Sequence, residues 1–137
     1  MLMEKARHEL VEFGKRLVTA NLTKGTGGNL SVFDSENGTV AITPSGIDFF
    51  EIRPEDIVII DLDGKTVEGT KTPSSEWEMH LMPYRHRNDI DAVIHAHTTY
   101  ATVLAVLRQD LPPSHYMVAV AGPNVRCAPY ATYGTHE

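Results

Sequence analysis

Two short runs of strand-forming residues, joined by an Asn-Gly pair, constrain the fold more than any other feature of this sequence. Residues 29–33 and 39–43 carry β-branched and aromatic side chains, and Asn37-Gly38 lies between them. Tight hairpin turns prefer this pair because both turn positions need positive φ. An antiparallel strand pair is therefore predicted near the start of the chain. A second pair is predicted from residues 56–62 and 65–68, on either side of the turn at Asp63-Gly64.

Helical periodicity appears before and after these strands. Apolar residues recur every three or four positions from residue 3 to residue 20, on the face Met3, Ala6, Leu10, Phe13, Leu17 and Ala20, which predicts a helix that stops before Gly25. A second helix is predicted to start at residues 72–76 and to run toward Arg87. Pro83 lies within it and predicts a kink or an early end, because proline removes one helical hydrogen bond.

In the last third of the chain, strands and helices are predicted to alternate. The pattern indicates a buried strand at 92–97, a helix at 98–108 and a strand at 116–121. Within the helix the inward residues are predicted to be Ala101, Leu104, Ala105 and Leu107. Mixed strands and helices with early hairpins favour an α/β or α+β class with a largely antiparallel sheet.

Length and charge narrow the possible functions. The 137 residues fit one domain, 1–137, and the formal charge of -6 argues against a general nucleic-acid binder, which needs a basic face. No apolar run approaches the roughly 20 residues of a membrane span, and no signal peptide is recognisable. Cys127 is the one cysteine, so a reducing cytoplasmic location is expected.

The sharpest chemical motif is His95-Ala96-His97. Residues two apart on a strand face the same side, so both imidazoles could share one metal ion. Neutral imidazole is a good zinc ligand, although zinc usually takes four donors and this pair supplies two. The alternative is a pair of ordinary histidines that hydrogen-bond to their surroundings.

Three loops at the ends of predicted elements could bind an anion. The segment 73–76, Pro-Ser-Ser-Glu, offers backbone N–H groups and two hydroxyls at a helix start, or else simply caps that helix. The glycine-rich segment 25–29 permits close approach of a ligand, but it is neither a P-loop nor a dinucleotide fingerprint. The segment 43–46, Thr-Pro-Ser-Gly, reads equally well as a plain turn. Together with the histidines, these loops suggest one site with an anion end and a metal end.

Taken in order, five motifs resemble the class II sugar-phosphate aldolases, and most closely their L-fuculose-1-phosphate branch. They are GTGGNLS at 25–31, TPSG at 43–46, PSSEW at 73–77, HAH at 95–97, and HYM at 115–117 followed by CAPY at 127–130. The resemblance implies a central, mostly antiparallel sheet flanked by helices. It also implies zinc-dependent cleavage of L-fuculose 1-phosphate to dihydroxyacetone phosphate and L-lactaldehyde, a lyase reaction, in a homotetramer.

The same resemblance assigns roles residue by residue. Zinc (Zn²⁺) would be held by Glu76, His95 and His97, with Glu76 also the catalytic acid/base. Tyr116 would reach a neighbouring subunit's site and assist at the aldehyde oxygen. The substrate phosphate would be bound by a larger set: Thr26, Gly28, Asn29, Ser45, Gly46, Ser74 and Ser75.

Other members of the same fold remain alternatives. They are a pentulose-phosphate 4-epimerase, which Glu76 disfavours because an aspartate would be expected there, a methylthioribulose-phosphate dehydratase, and a non-catalytic adducin-like interaction module. The resemblance further implies a third zinc histidine downstream of Glu137, so the domain is expected to be incomplete and the chain by itself to be inactive.

Overall fold

The computed structural model describes residues 1–132, whose contacts form two units that divide between Ala96 and His97. The first unit is built on a five-stranded sheet in the order β4-β3-β2-β1-β5, with every neighbouring pair antiparallel. Its strands are β1 Asn29–Asp34, β2 Thr39–Ile42, β3 Val58–Asp61, β4 Thr66–Glu68 and β5 Ala92–His95. Both predicted hairpins are present, so the mixed fold with an antiparallel sheet is confirmed.

Side chains of the central strands are buried on both faces of this sheet. Along β2, Val40 and Ile42 face one way while Ala41 faces the other, and all three are fully buried. Helix α1, Glu4–Thr19, covers the Ala41 face, and helix α2, Trp77–His86, covers the opposite face. The two helices thus protect a central strand that is apolar at successive positions, as expected of a strand covered on both sides.

The predicted first helix is confirmed as α1, but its buried face includes an unexpected residue. Phe13 is predicted on the apolar face, yet it is 45% exposed, and the guanidinium of Arg16 lies 5.0 Å from its ring centre. Arg7 is buried instead, and donates to the backbone oxygens of Leu2, Pro54 and Ile57 and to a carboxylate oxygen of Glu68. A buried guanidinium is tolerated here because its donors are matched by acceptors.

Helix α2 begins later than predicted and passes through its proline. The helix begins at Trp77, with Glu76 at the N-cap position, and ends at His86. Pro83 lies inside it, three residues before the end, where the missing N–H removes only one bond of the final turn. Because of the delayed start, residues 72–74 lie outside the helix and pair with the turn that follows β2.

Strand β5 corrects a second prediction. It ends at His95 rather than residue 97, and none of its four residues is buried. The reason is its position at the edge of the sheet, where it pairs only with β1 among the described residues. The strand alternation that predicted one shared face therefore applies up to His95 and does not extend to His97.

The second unit begins at His97, and two predictions fail within it. Helix α3, Thr99–Val106, is shorter than predicted and has no buried residue; Ala101, Ala105 and Leu107, predicted inward, are exposed, and Leu104 is half-buried. The predicted strand at 116–121 is wrong, because helix α4, Val118–Ala121, occupies most of it. Its amides donate locally, for example Val118 N–H to the His115 oxygen at 3.0 Å, so no partner strand is needed. Among the described residues, no helix is both long and apolar enough to cross a bilayer.

Candidate metal and anion site

Two of the predicted loops meet through backbone hydrogen bonds. The amide of Ser74 donates to the Thr43 oxygen at 3.0 Å, and the amide of Ser45 donates to the Thr72 oxygen, also at 3.0 Å. This bridge fixes the turn after β2 against the segment that precedes α2. It also uses both amides, so an anion bound here would rely on the hydroxyls and on the other amides of the loops.

Glu76 stands at the start of α2, where these loops meet. Its backbone N–H donates to the Ser74 hydroxyl oxygen at 3.2 Å, so Ser74 stabilises the turn that leads into α2. Ser74 is buried, whereas Ser45, Gly46 and Ser75 are exposed. The exposed members lie on the side from which a solvent-borne anion could approach.

The carboxylate of Glu76 lies beside the end of strand β5. Its Oε2 atom is 3.4 Å from Nε2 of His95, and both side chains are about three-quarters or more buried, at 20% and 25% exposure. The amide nitrogen of Asn29 donates to the same oxygen at 2.7 Å. Register explains this grouping, because Asn29 at the start of β1 pairs directly with His95 at the end of β5.

The glycine-rich loop is held close to β5 at the same point. Gly28 has a φ of +78°, and a Cβ atom added there would lie 2.7 Å from the His95 carbonyl oxygen. No other residue type fits that approach, which explains why a glycine precedes Asn29. Upstream, the Thr23 hydroxyl donates to the Gly27 oxygen at 2.8 Å and closes the loop, while Thr26 is exposed.

A histidine that sequence analysis missed lies beneath Glu76. His80 is fully buried, and its Nε2 hydrogen-bonds to Oδ1 of Asn29, while its Nδ1 is 2.7 Å from the Ser31 hydroxyl. The Ser31 hydroxyl is in turn 2.7 Å from the Tyr84 hydroxyl. Spacing could have found this group, because His80 is four residues after Glu76 on a helix and Ser31 is two after Asn29 on a strand.

Burial controls the protonation of this inner group. Desolvation lowers the pKa of His80 from 6.5 to about 4, with His95 lowering it further and Glu76 opposing the shift. Desolvation also raises the pKa of Tyr84 to about 12. At neutral pH the imidazole and the phenol are therefore both uncharged.

Glu76 and His95 fit a divalent metal. Carboxylate oxygen and imidazole nitrogen are both zinc ligands, and the two atoms already lie within reach of one ion. The Asn29 contact supplies the outer hydrogen bond that metal-binding carboxylates usually have. His97 and Tyr116 belong to the second unit, where His97 is exposed and Tyr116 is 78% exposed. Their assigned roles stay predictions.

Known proteins resemble this chain over its whole length. It is 53% identical over 137 residues to 5-deoxy-D-ribulose 1-phosphate aldolase of Bacillus thuringiensis serovar kurstaki, covering 100% of this chain and 64% of that protein. It is 40% identical over 138 aligned positions to L-fuculose phosphate aldolase of Escherichia coli K12, covering 100% and 63%. A solved structure named L-fuculose 1-phosphate aldolase is 65% identical with a TM-score of 0.95, covering 99% of this chain and 64% of that one.

The chain thus spans about 64% of the length of these relatives. The model of the class II aldolase and adducin N-terminal domain family matches residues 8–137. That match takes in both the Glu76–His95 pair and the loops that surround it. On this match and these identities, the chain belongs to the class II aldolase and adducin N-terminal domain family.

Proposed function

We propose that the polypeptide carrying this chain is a metal-dependent aldolase that cleaves a ketose 1-phosphate. The observation that carries the proposal is the Glu76 carboxylate, 3.4 Å from the His95 imidazole and next to two polar loops. A structural salt bridge alone would not need the open, hydroxyl-bearing loops beside it. An adducin-like interaction module would not need the paired carboxylate and imidazole.

Glu76, His95 and His97 would hold zinc, with further ligands supplied from outside the described residues. The bound ion would supply Lewis acidity that stabilises negative charge developing on the ketose oxygens. The phosphate would be bound by the exposed hydroxyls and amides of the three loops: Thr26, Gly28, Asn29, Ser45, Gly46, Ser74 and Ser75. Such binding contributes orientation of the ketose rather than chemistry.

Glu76 would move the proton that cleavage requires. In retro-aldol cleavage the bond between C3 and C4 breaks, the C4 hydroxyl would give its proton to the Glu76 carboxylate as it becomes an aldehyde, and the electron pair is left at C3. Glu76 would deliver a proton to C3, which completes dihydroxyacetone phosphate. Tyr116 of a neighbouring subunit would hydrogen-bond to the aldehyde oxygen, and its 78% exposure suits a role outside its own subunit in a tetramer.

Two substrates follow from the similarities. L-fuculose 1-phosphate is supported by the 65% identity to the solved aldolase structure of that name. The second candidate, 5-deoxy-D-ribulose 1-phosphate, is supported by the 53% identity to the Bacillus protein. The two differ in the aldehyde released, L-lactaldehyde from the first and acetaldehyde from the second, so product analysis separates them.

The test combines elemental analysis with a cleavage assay. The polypeptide carrying this chain should contain zinc and release dihydroxyacetone phosphate from one of the two ketose phosphates. Glu76→Gln should lower turnover by about two to four orders of magnitude, since it removes the proton donor. Glu36→Gln, in the exposed hairpin turn, is the matched control and should be unaffected.

Three results would overturn the proposal. Zinc without cleavage would favour the epimerase or the dehydratase. A protein that neither contains nor binds zinc would favour the interaction module. An unchanged rate in Glu76→Gln would remove Glu76 from the chemistry.

A further inference from the structure

A line of hydrogen bonds runs inward from the Glu76 carboxylate through four buried residues. Asn29 donates to Glu76 at 2.7 Å and accepts from His80, which lies between Asn29 and Ser31. Tyr84 ends the line, with its hydroxyl 2.7 Å from the Ser31 hydroxyl and 3.1 Å from the Ser31 carbonyl oxygen. No buried side-chain nitrogen or oxygen among the described residues lacks a partner, so each member of the line depends on the next.

The chemistry of the groups fixes the direction of the hydrogen bonds from Glu76 to the Ser31 hydroxyl. A carboxylate accepts and does not donate, so the Asn29 amide must turn its nitrogen toward Glu76 and its oxygen toward His80. His80 therefore carries its hydrogen on Nε2. Its bare Nδ1 then accepts from the Ser31 hydroxyl, and the one hydroxyl hydrogen of Tyr84 is shared between the hydroxyl oxygen and the carbonyl oxygen of Ser31.

Burial excludes the two other protonation states of His80. An imidazolium would donate from both nitrogens, but desolvation lowers the pKa of His80 to about 4. A neutral ring with its hydrogen on Nδ1 would leave two acceptors, Nε2 and the Asn29 oxygen, facing one another without a proton. That contact would cost the desolvation of both buried groups.

We propose that His80 is a positioning residue whose Nε2–H fixes the orientation of the Asn29 amide and, through it, the Glu76 carboxylate. The consequence for metal binding rests on the proposed function, whereas the tautomer does not. If the amide were to turn over, its oxygen would face the carboxylate and both of its N–H donors would point away from the site. One donor serves Glu76, and the second is the only side-chain donor of Asn29 left for a bound phosphate.

Substitution of His80 tests the effect on the metal. In the polypeptide carrying this chain, His80→Phe should weaken zinc affinity by about 10–100-fold, the usual effect of losing a group behind a metal ligand. His80→Gln keeps an N–H donor near the Nε2 position and should recover most of that affinity. His86→Phe, an exposed histidine on the same helix, is the matched control and should bind zinc like the wild type.

The outcomes of calorimetric zinc titration separate positioning from simple packing. A folded His80→Phe variant with wild-type zinc affinity overturns the proposal. So does a His80→Gln variant that binds no better than His80→Phe, because the ring would then act only by filling space. Circular dichroism establishes which variants are folded.

Nitrogen-15 NMR of the metal-free wild type gives an independent test, which stands even where a variant does not fold. At about pH 7, the His80 ring should show a protonated Nε2 and a bare Nδ1. A proton on Nδ1, or on both nitrogens, overturns the proposal. If this tautomer is observed in a wild type that binds no zinc, the proposed function fails while the hydrogen-bond assignment stands.

Discussion

Acidification should destabilise the fold through one buried histidine, and the size of this effect follows from its pKa. His80 has a folded-state pKa of about 4 against an ordinary value of 6.5. Below pH 6.5 the unfolded chain takes up a proton at this residue, whereas the folded chain does not until about pH 4. The free energy of unfolding therefore falls as the pH falls from 6.5 to about 4. Above pH 6.5, His80 is neutral in both states and causes no loss of stability.

Linkage gives the expected magnitude. Between about pH 7.5 and about pH 5, a shift of this size removes about 2 kcal/mol from the free energy of unfolding. Carboxylates elsewhere add their own pH dependence, so a non-titrating replacement is needed. His80→Gln should lose about 2 kcal/mol less than the wild type over the same range, and His86→Gln should lose as much as the wild type.

Urea unfolding at a series of pH values measures this difference. Trp77 is the chain's one tryptophan, and it packs against the core cluster that contains Leu81 and Tyr84. Its fluorescence therefore reports on the unfolding of helix α2, which carries His80. If the wild type and His80→Gln lose equal stability on acidification, His80 does not have a depressed pKa and the argument from burial is wrong.

The remaining predictions concern three other features of the site. Gly28→Ala should cost about 1–3 kcal/mol in urea unfolding, because positive φ combines with a clash against the β5 backbone. Gly25→Ala, also at positive φ but with no atom nearby, should cost only about 1 kcal/mol; equal losses would refute the clash. Tyr84→Phe should lower thermal stability by about 1 kcal/mol through loss of its hydroxyl bonds, and an unchanged melting temperature would contradict that role. Replacing Ser74 and Ser75 together by alanine should raise KM for a ketose phosphate and spare its unphosphorylated analogue, and steady-state kinetics on both would reveal an equal loss.

Local patterns predicted the first unit well because the relevant signals lie within a few residues. Asn37-Gly38 and Asp63-Gly64 mark the two hairpins, and the three-to-four residue repeat marks α1. The apolar run at 116–121 was assigned wrongly because short apolar runs suit a strand or a buried helix equally. The backbone amides of this segment donate to carbonyl oxygens a few residues upstream, and the side-chain pattern of six residues does not reveal such local hydrogen bonds.

Sequence analysis identified those site residues that belong to recognisable motifs. Glu76 and His95 were both identified, and β-sheet register brings them together through Asn29. His80 was missed because its four-residue spacing from Glu76 becomes informative only together with its burial and its partners on β1. The buried Arg7 was missed for the same reason, since its acceptors come from segments distant in sequence.

Within the described part of the chain, strand β5 has one neighbouring strand, β1, and forms one ladder with it. Detachment of that ladder would carry His95 away from Glu76 while the four other strands and the buried line beneath Glu76 stayed intact. Amide protons of β5 should therefore exchange with solvent sooner than those of β2 and β3. Metal binding should then be lost on warming at a lower temperature than the one at which the whole fold melts. A bound ion would, in turn, hold this edge strand against its neighbour.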